Sequence, residues 1–277
     1  MTSDFCAIEP GSVGTNEGVF SPRNFLKVSS WMNTPGAESV ENFYFYGYYP
    51  QKTAPAATYS DGGVQLEVPA AQTGEFGQAQ ICSSGKVSMS REEIVKEKMV
   101  RFTFAPVTSL IRLRLTLSEG TDPSITEAYI KQVILTAKNS ASNLTGDCKL
   151  DFGQGKLAST ESGAATHKQI TVTLPSPVKI TRDKPSNAYI DFVLLPTGAG
   201  TGTIEFDPRL PDNTKLTVNP QQSPEEGFRA GYRYLLDRSV TIKLDDNSDD
   251  ASYVDGGNAW DNDIDHDGFY IDAGYAW

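Results

Sequence analysis

Residues 100–117, VRFTFAPVTSLIRLRLTL, alternate apolar and polar side chains in two registers that do not match. Val100, Phe102 and Phe104 fall on one face, with Arg101 and Thr103 opposite. Further on, Ile111, Leu113, Leu115 and Leu117 share a face, with Arg112, Arg114 and Thr116 opposite. Alternation of this kind marks a strand with one face buried and one wet. A one-residue slip moves every side chain to the other face, so a regular strand cannot pass from an even to an odd inward set. The sequence therefore predicts a break or bulge at 105–109, where Pro106 also removes a backbone donor.

The rest of the chain repeats the strand rhythm. Residues 43–50, FYFYGYYP, hold six aromatics in eight positions, which suits a pleated surface. Their plainer reading is core on one face and cross-strand stacking on the other; the alternative is an exposed aromatic platform. Asp61-Gly62-Gly63 predicts a hairpin turn before Val64, Leu66 and Val68. A short strand is expected around Ile81-Cys82, and further strands over 129–137 and around Ile170, Val172 and Leu174. The nearly all-apolar run 189–195, YIDFVLL, predicts a central strand covered on both sides. Asp191 inside it requires a partner or a sheet edge. Residues 228–244 supply a last strand. Only 90–98, SREEIVKEK, reads as helix, with Ser90 and Glu93 spaced for a capping box. Short strands with turn signals every ten or so residues, and no βαβ alternation, predict an all-β sandwich architecture.

A length of 277 residues allows two domains or one large all-β domain. The helical stretch is the expected connection, dividing 1–97 from 98–244. Residues 1–23 lack periodicity and read as a loose leader. Ten of the eleven net negative charges belong to 245–277, so the body is close to neutral. With no basic stripe, nucleic-acid binding is not expected. No apolar run approaches the roughly 18 residues of a membrane helix. Cys6, Cys82 and Cys148 are too far apart for a metal knuckle or a dense disulfide framework, leaving buried thiols or one disulfide. There is no G-x-S-x-G elbow, phosphate loop or HExxH, and only two histidines, His167 and His266. No catalytic residue is assigned, and no enzyme is expected.

The tail 245–277 opens on a solvated acidic linker, DDNSDDAS, and closes on strand periodicity. Phe269, Ile271, Ala273, Tyr275 and Trp277 share one face. A detached strand past a spacer can pair with its own sheet or with another molecule's. Between linker and strand, Asp263, Asp265 and Asp267 followed by Gly268 match the start of a calcium loop. The twelfth position is Gly274 where a Glu is needed, which leaves at most a weak calcium site against a plain acidic turn. No other cofactor is expected.

Three of these stretches together resemble the fimbrillin-like pilins and adhesins of Bacteroidetes, the type V pilus subunits. Residues 43–50 resemble the family's aromatic strand ending in proline. Residues 100–117 resemble its strand in which a His-Ala is common where this chain has Ala105-Pro106. Residues 228–244 resemble its late strand, matched by Ala230-Gly231-Tyr232 and Tyr234. The resemblance implies two tandem transthyretin-like β-sandwich domains, export as a lipoprotein precursor, display at the outer membrane and assembly into a fimbria. It implies removal of a first strand by an Arg-directed protease, with Arg23 the residue here that fits. It implies that the C-terminal strand of a neighbouring pilin subunit fills the vacated groove, a role 269–277 would serve as donor strand. The sequence departs from the pattern in showing no signal peptide and no lipobox before Cys6. A surface module binding a host or glycan ligand through the aromatics of 43–49 is the second reading.

Overall fold

The computed structural model describes residues 6–8, 20–22, 39–49, 62–74, 79–97, 100–160, 165–182, 184–186, 188–216, 218–242 and 270–272. Among the described residues the fold is mostly β, in several largely antiparallel sheets with one short α-helix. The four-stranded sheet is organised around residues 109–117, β8 (Ser109–Leu117).

Ile111, Leu113, Leu115 and Leu117 are all buried, as their alternation predicts, while Arg112, Arg114 and Thr116 are half-buried on the opposite face. β8 lies between β13 (Ile190–Leu194), antiparallel, and β16 (Arg233–Val240), parallel. β17 (Tyr270–Asp272) adds to the far side of β16 and completes a four-stranded sheet. A five-stranded sheet supplies the other half of the core. Its order is β15 (Gln221–Gln222), β14 (Thr203–Arg209), β9 (Glu127–Lys138), β12 (Gln169–Thr181) and β5 (Ala71–Gln72). Buried residues of both sheets form one cluster, from Ile111 and Phe192 to Val133, Ile170 and Phe206. β9 changes its inward parity between Ile130 and Val133, opposite a register shift in β12 between Thr173 and Val178. Lys131 lies at that irregularity and donates to the Leu174 and Pro175 carbonyls.

A second, smaller core lies between two three-stranded sheets. One is β3 (Asn42–Tyr49), β6 (Cys82–Ser90) and β7 (Ala105–Pro106); the other is β11 (Lys156–Ser159), β10 (Gly146–Asp151) and β4 (Gly63–Val68). Val64, Leu66, Val68, Cys148, Leu150 and Phe152 fill it. The strand at 63–68 thus pairs with β10, which in turn pairs with β11, both from beyond residue 98. Gly62 has φ of 75° and turns the chain before β4; the first arm of the expected hairpin lies outside the described residues, among which β4 pairs with β10, and β3 with β6. Between β6 and the large sandwich stands α1 (Arg91–Glu97). Its capping box forms as read, with Glu93 N–H donating to Ser90 Oγ and Ser90 N–H to the Glu93 carboxylate. β1 (Cys6–Ile8) and β2 (Phe20–Pro22) pair with each other in a separate two-stranded sheet.

The parity break has a topological cause. The chain leaves the small sandwich at β7 and enters the large one at β8 two residues later. Residues 100–104 do not form the strand their alternation suggests. Phe102 is exposed, and Phe104 packs over Gly47, where a Cβ would stand 2.8 Å from its ring. The run 189–195 also differs from expectation. Among the described residues β13 is an edge strand, yet all five of its residues are buried. Ile190, Phe192 and Leu194 face the large core, Val193 packs with Leu110 and Ala79, and Leu195 joins the small core. Cover on both faces comes from long-range neighbours, so it does not mark a central position.

Candidate strand-exchange edge

β16 begins at a tightly fixed corner. Tyr234 is fully buried, its ring edge-on to Phe228 at 5.1 Å. Its hydroxyl accepts from Arg229 N–H at 2.8 Å. Gly231, with φ of 75°, turns the chain and donates from its amide to the Thr108 carbonyl at 2.9 Å. A side chain at that φ would be strained, so the glycine of the 228–244 motif has a local mechanical reason. From this corner Tyr234, Leu236 and Val240 point into the core.

The outer side of β16 is where the tail arrives. Arg233, Tyr234 and Leu235 pair antiparallel with Asp272, Ile271 and Tyr270. Of the five residues read as a donor strand, Ile271 lies in this pairing, opposite Tyr234. Phe269, Ala273, Tyr275 and Trp277 lie outside the described residues, as do Arg23 and the three aspartates Asp263, Asp265 and Asp267. Beyond Leu235, no strand lies on that side of residues 236–240 among the described residues. The backbone of an uncovered edge is a template for another strand.

One residue at this edge escaped the sequence reading. Arg238 occupies an inward position by alternation but is only half-buried, and its guanidinium reaches across to the Gln221 side-chain oxygen on β15. It closes the flank between the two sheets. An inward charge in an otherwise apolar alternation is itself a signal of an edge strand.

The face of β8 away from the core carries a charged ladder. Arg112 pairs with Asp191 across to β13, and Arg114 with Asp237 across to β16. Tyr189 lies under both guanidiniums, at 4.5 and 5.1 Å. Asp191 thus has both features its sequence context demands, a partner and a sheet edge. Burial pushes its carboxyl above the ordinary range, against the lowering effect of the Arg112 hydrogen bonds.

The aromatics of β3 do not form a row. Tyr46 stacks on Phe152 at 5.0 Å and Tyr48 lies against the same ring at 6.2 Å, both packed on the small core. Tyr44 and Tyr49 are exposed, with the Lys86 ammonium 3.9 Å over the Tyr44 ring. Of the two described cysteines, Cys148 is buried and Cys82 half-buried. Among the described residues no three His, Cys, Asp or Glu side chains cluster as metal ligands, and no helix is long and apolar enough to cross a membrane.

No protein-family model matches the chain, and no curated protein does. Among solved structures, it is similar to a candidate cell adhesion protein from Bacteroides ovatus, at 15% identity and a TM-score of 0.47, covering 83% of this chain and 70% of that one. It is similar to a candidate cell adhesion protein from Bacteroides uniformis, at 18% identity and a TM-score of 0.42, covering 74% and 68%. It is also similar to a fimbrial protein from Bacteroides vulgatus, at 12% identity and a TM-score of 0.40, covering 72% of each chain.

Proposed function

We propose that this chain is a structural subunit or adhesin of a surface fimbria of the type V kind, assembled by donor-strand exchange and without catalysis. The observation that carries the reading is the outer side of β16. It takes the C-terminal segment over three residues, with no strand beside 236–240 among the described residues. A strand from a neighbouring subunit that pairs along the whole of such an edge gains main-chain hydrogen bonds, and its alternate side chains gain pockets. The three sequence motifs shared with fimbrillin-like proteins support the same reading. In it the two cores are tandem transthyretin-like sandwiches, with β10 and β11 lent to the first and 245–277 serving as spacer and donor. Its partners are other pilin subunits, and its location is the cell surface at the outer membrane. Cleavage after Arg23 would separate the β1–β2 hairpin from everything that follows.

The test is a chain ending at residue 268. The expected result is a folded monomer that no longer polymerises. Normal assembly of that truncated chain would sink the donor-strand reading.

A further inference from the structure

The opposite edge of the same sheet is closed by a side chain. β13 is an edge strand of five buried residues, apolar but for Asp191, the kind of strand that most readily recruits another. In an antiparallel ladder, residues point their N–H and C=O alternately toward one neighbour and then the other. Val193 and Leu195 point theirs away from β8. At Val193, the amide N–H donates to Gln72 Oε1 at 3.0 Å, and the carbonyl accepts from Gln72 Nε2 at 2.7 Å. At Leu195, the amide donates to the Leu144 carbonyl at 2.8 Å.

A carboxamide carries the same donor and acceptor as a peptide group. The Gln72 side chain therefore reproduces both bonds that an incoming strand would make to Val193. It is held for the purpose at three points. Its remaining Nε2 proton goes to the Pro69 carbonyl at 3.0 Å. Its own backbone lies in β5, paired parallel to β12 at Val172 of the facing sheet. The preceding Ala70 carbonyl accepts from Thr171 N–H at 2.7 Å. A two-residue strand in one sheet thus sends one side chain across to seal the edge of the other.

We propose that Gln72 is an edge guard. It occupies the strand-accepting edge of β13 and so confines strand addition on this sheet to β16. The partner it excludes is an extended strand of a second copy of this chain, whose own β13 edge is the nearest match. This inference does not depend on the fimbrial reading, because β13 needs closing in any monomer that exposes it.

The test uses the full chain carrying Gln72→Met, which keeps length and apolar packing but has no amide. In dilute solution, where the variant is monomeric, hydrogen exchange at Val193 should quicken by about tenfold, the loss of one ordinary hydrogen bond, while Phe192, paired to β8, is unchanged. Light scattering should show larger species than wild type at equal concentration. Adding Val193→Pro, which removes the edge donor without touching the β8 ladder, should return the mass to the wild-type value. An unchanged Val193 exchange rate overturns the proposal. So does faster exchange with an unchanged mass, which would make Gln72 a local staple only. So does a larger species that Val193→Pro fails to reverse, which would place the association elsewhere. Should Gln72→Met not fold, Gln72→Leu carries the same test, since it too removes both the acceptor for Val193 N–H and the donor to the Val193 carbonyl.

Discussion

Arg112 on β8 and Asp191 on β13 stand directly opposite in the ladder, and the guanidinium holds both carboxylate oxygens, at 2.8 and 3.2 Å. Two residues along β8, Arg114 and Asp237 repeat the geometry at 2.7 and 2.6 Å. The two pairs differ in water. The Asp191 side chain is 5% exposed, and that of Asp237 is 53% exposed. Arg112→Met strands a buried charge and should cost about 3 kcal/mol. Arg114→Met leaves a solvated carboxylate and should cost under about 1 kcal/mol. Urea melts of the two variants check this, and equal losses would contradict it.

Asp191 also sets a pH dependence of unusual sign. Because burial raises its folded-state pKa, the folded protein holds this proton more tightly than the unfolded chain. The stability from this group is complete below the unfolded carboxyl pKa and is lost as pH rises through the folded value. Relative to Asp191→Asn, wild type should therefore melt comparatively higher at about pH 4 than at about pH 7. A Tm difference that is the same at both ends of the range would show that the carboxyl is not raised.

Phe152 holds the aromatic strand to the small core, stacked with Tyr46 and tilted against Tyr48. It is 3% exposed. Phe152→Ala should cost about 3 kcal/mol through the cavity and the lost ring contacts. Tyrosine fluorescence should change with it, since two rings lose their shared neighbour. A loss below about 1 kcal/mol would mean that β3 is held chiefly by its ladder with β6.

The thiols should be sluggish. Burial pushes Cys82 up to about 11, so little thiolate exists near neutrality. Cys148 is fully buried between Leu66 and Ser159 in its sheet. Native protein treated with iodoacetamide near neutral pH should show slow labelling at Cys82 and none at Cys148, with both labelled in denaturant. Rapid native labelling of Cys148, read by mass spectrometry, would contradict its burial.

The sequence made plain what alternation can carry, and no more. Ile111, Leu113, Leu115 and Leu117 were legible because one face of one strand meets one core. The capping box at Ser90 and Glu93 was legible because it is wholly local. Alternation tells which face is buried but not which strand lies alongside. The pairing of β4 with β10 therefore left no trace in either stretch. The same gap turned an apolar edge strand, β13, into an expected central one, since Leu110 and Ala79 supply its second cover from afar. Gln72 gave no signal at all, because a polar residue after Ala71 in a turn-rich region looks like surface. At the β16 edge 228–244 reads as one strand, but the chain turns at Gly231 and the strand runs only from Arg233 to Val240. Arg238 could have been read, as a charge at an inward position of a strand.

The parallel pairing of β8 with β16 decides how the large sandwich bears load. Its eight-residue register runs from Leu110 opposite Arg233 to Leu117 opposite Val240. A pull applied at Ser109 and Val240, at opposite ends of the two strands, slides one along the other. All the ladder's hydrogen bonds are then strained together. A pull applied at Ser109 and Arg233, at the same end, peels them one after another. In single-molecule stretching the first geometry should need the greater force, a difference in rate of forced unfolding rather than in equilibrium stability. A chain under tension along this axis resists by shear, and its resistance is built into the direction in which the last strand of the core returns beside the first.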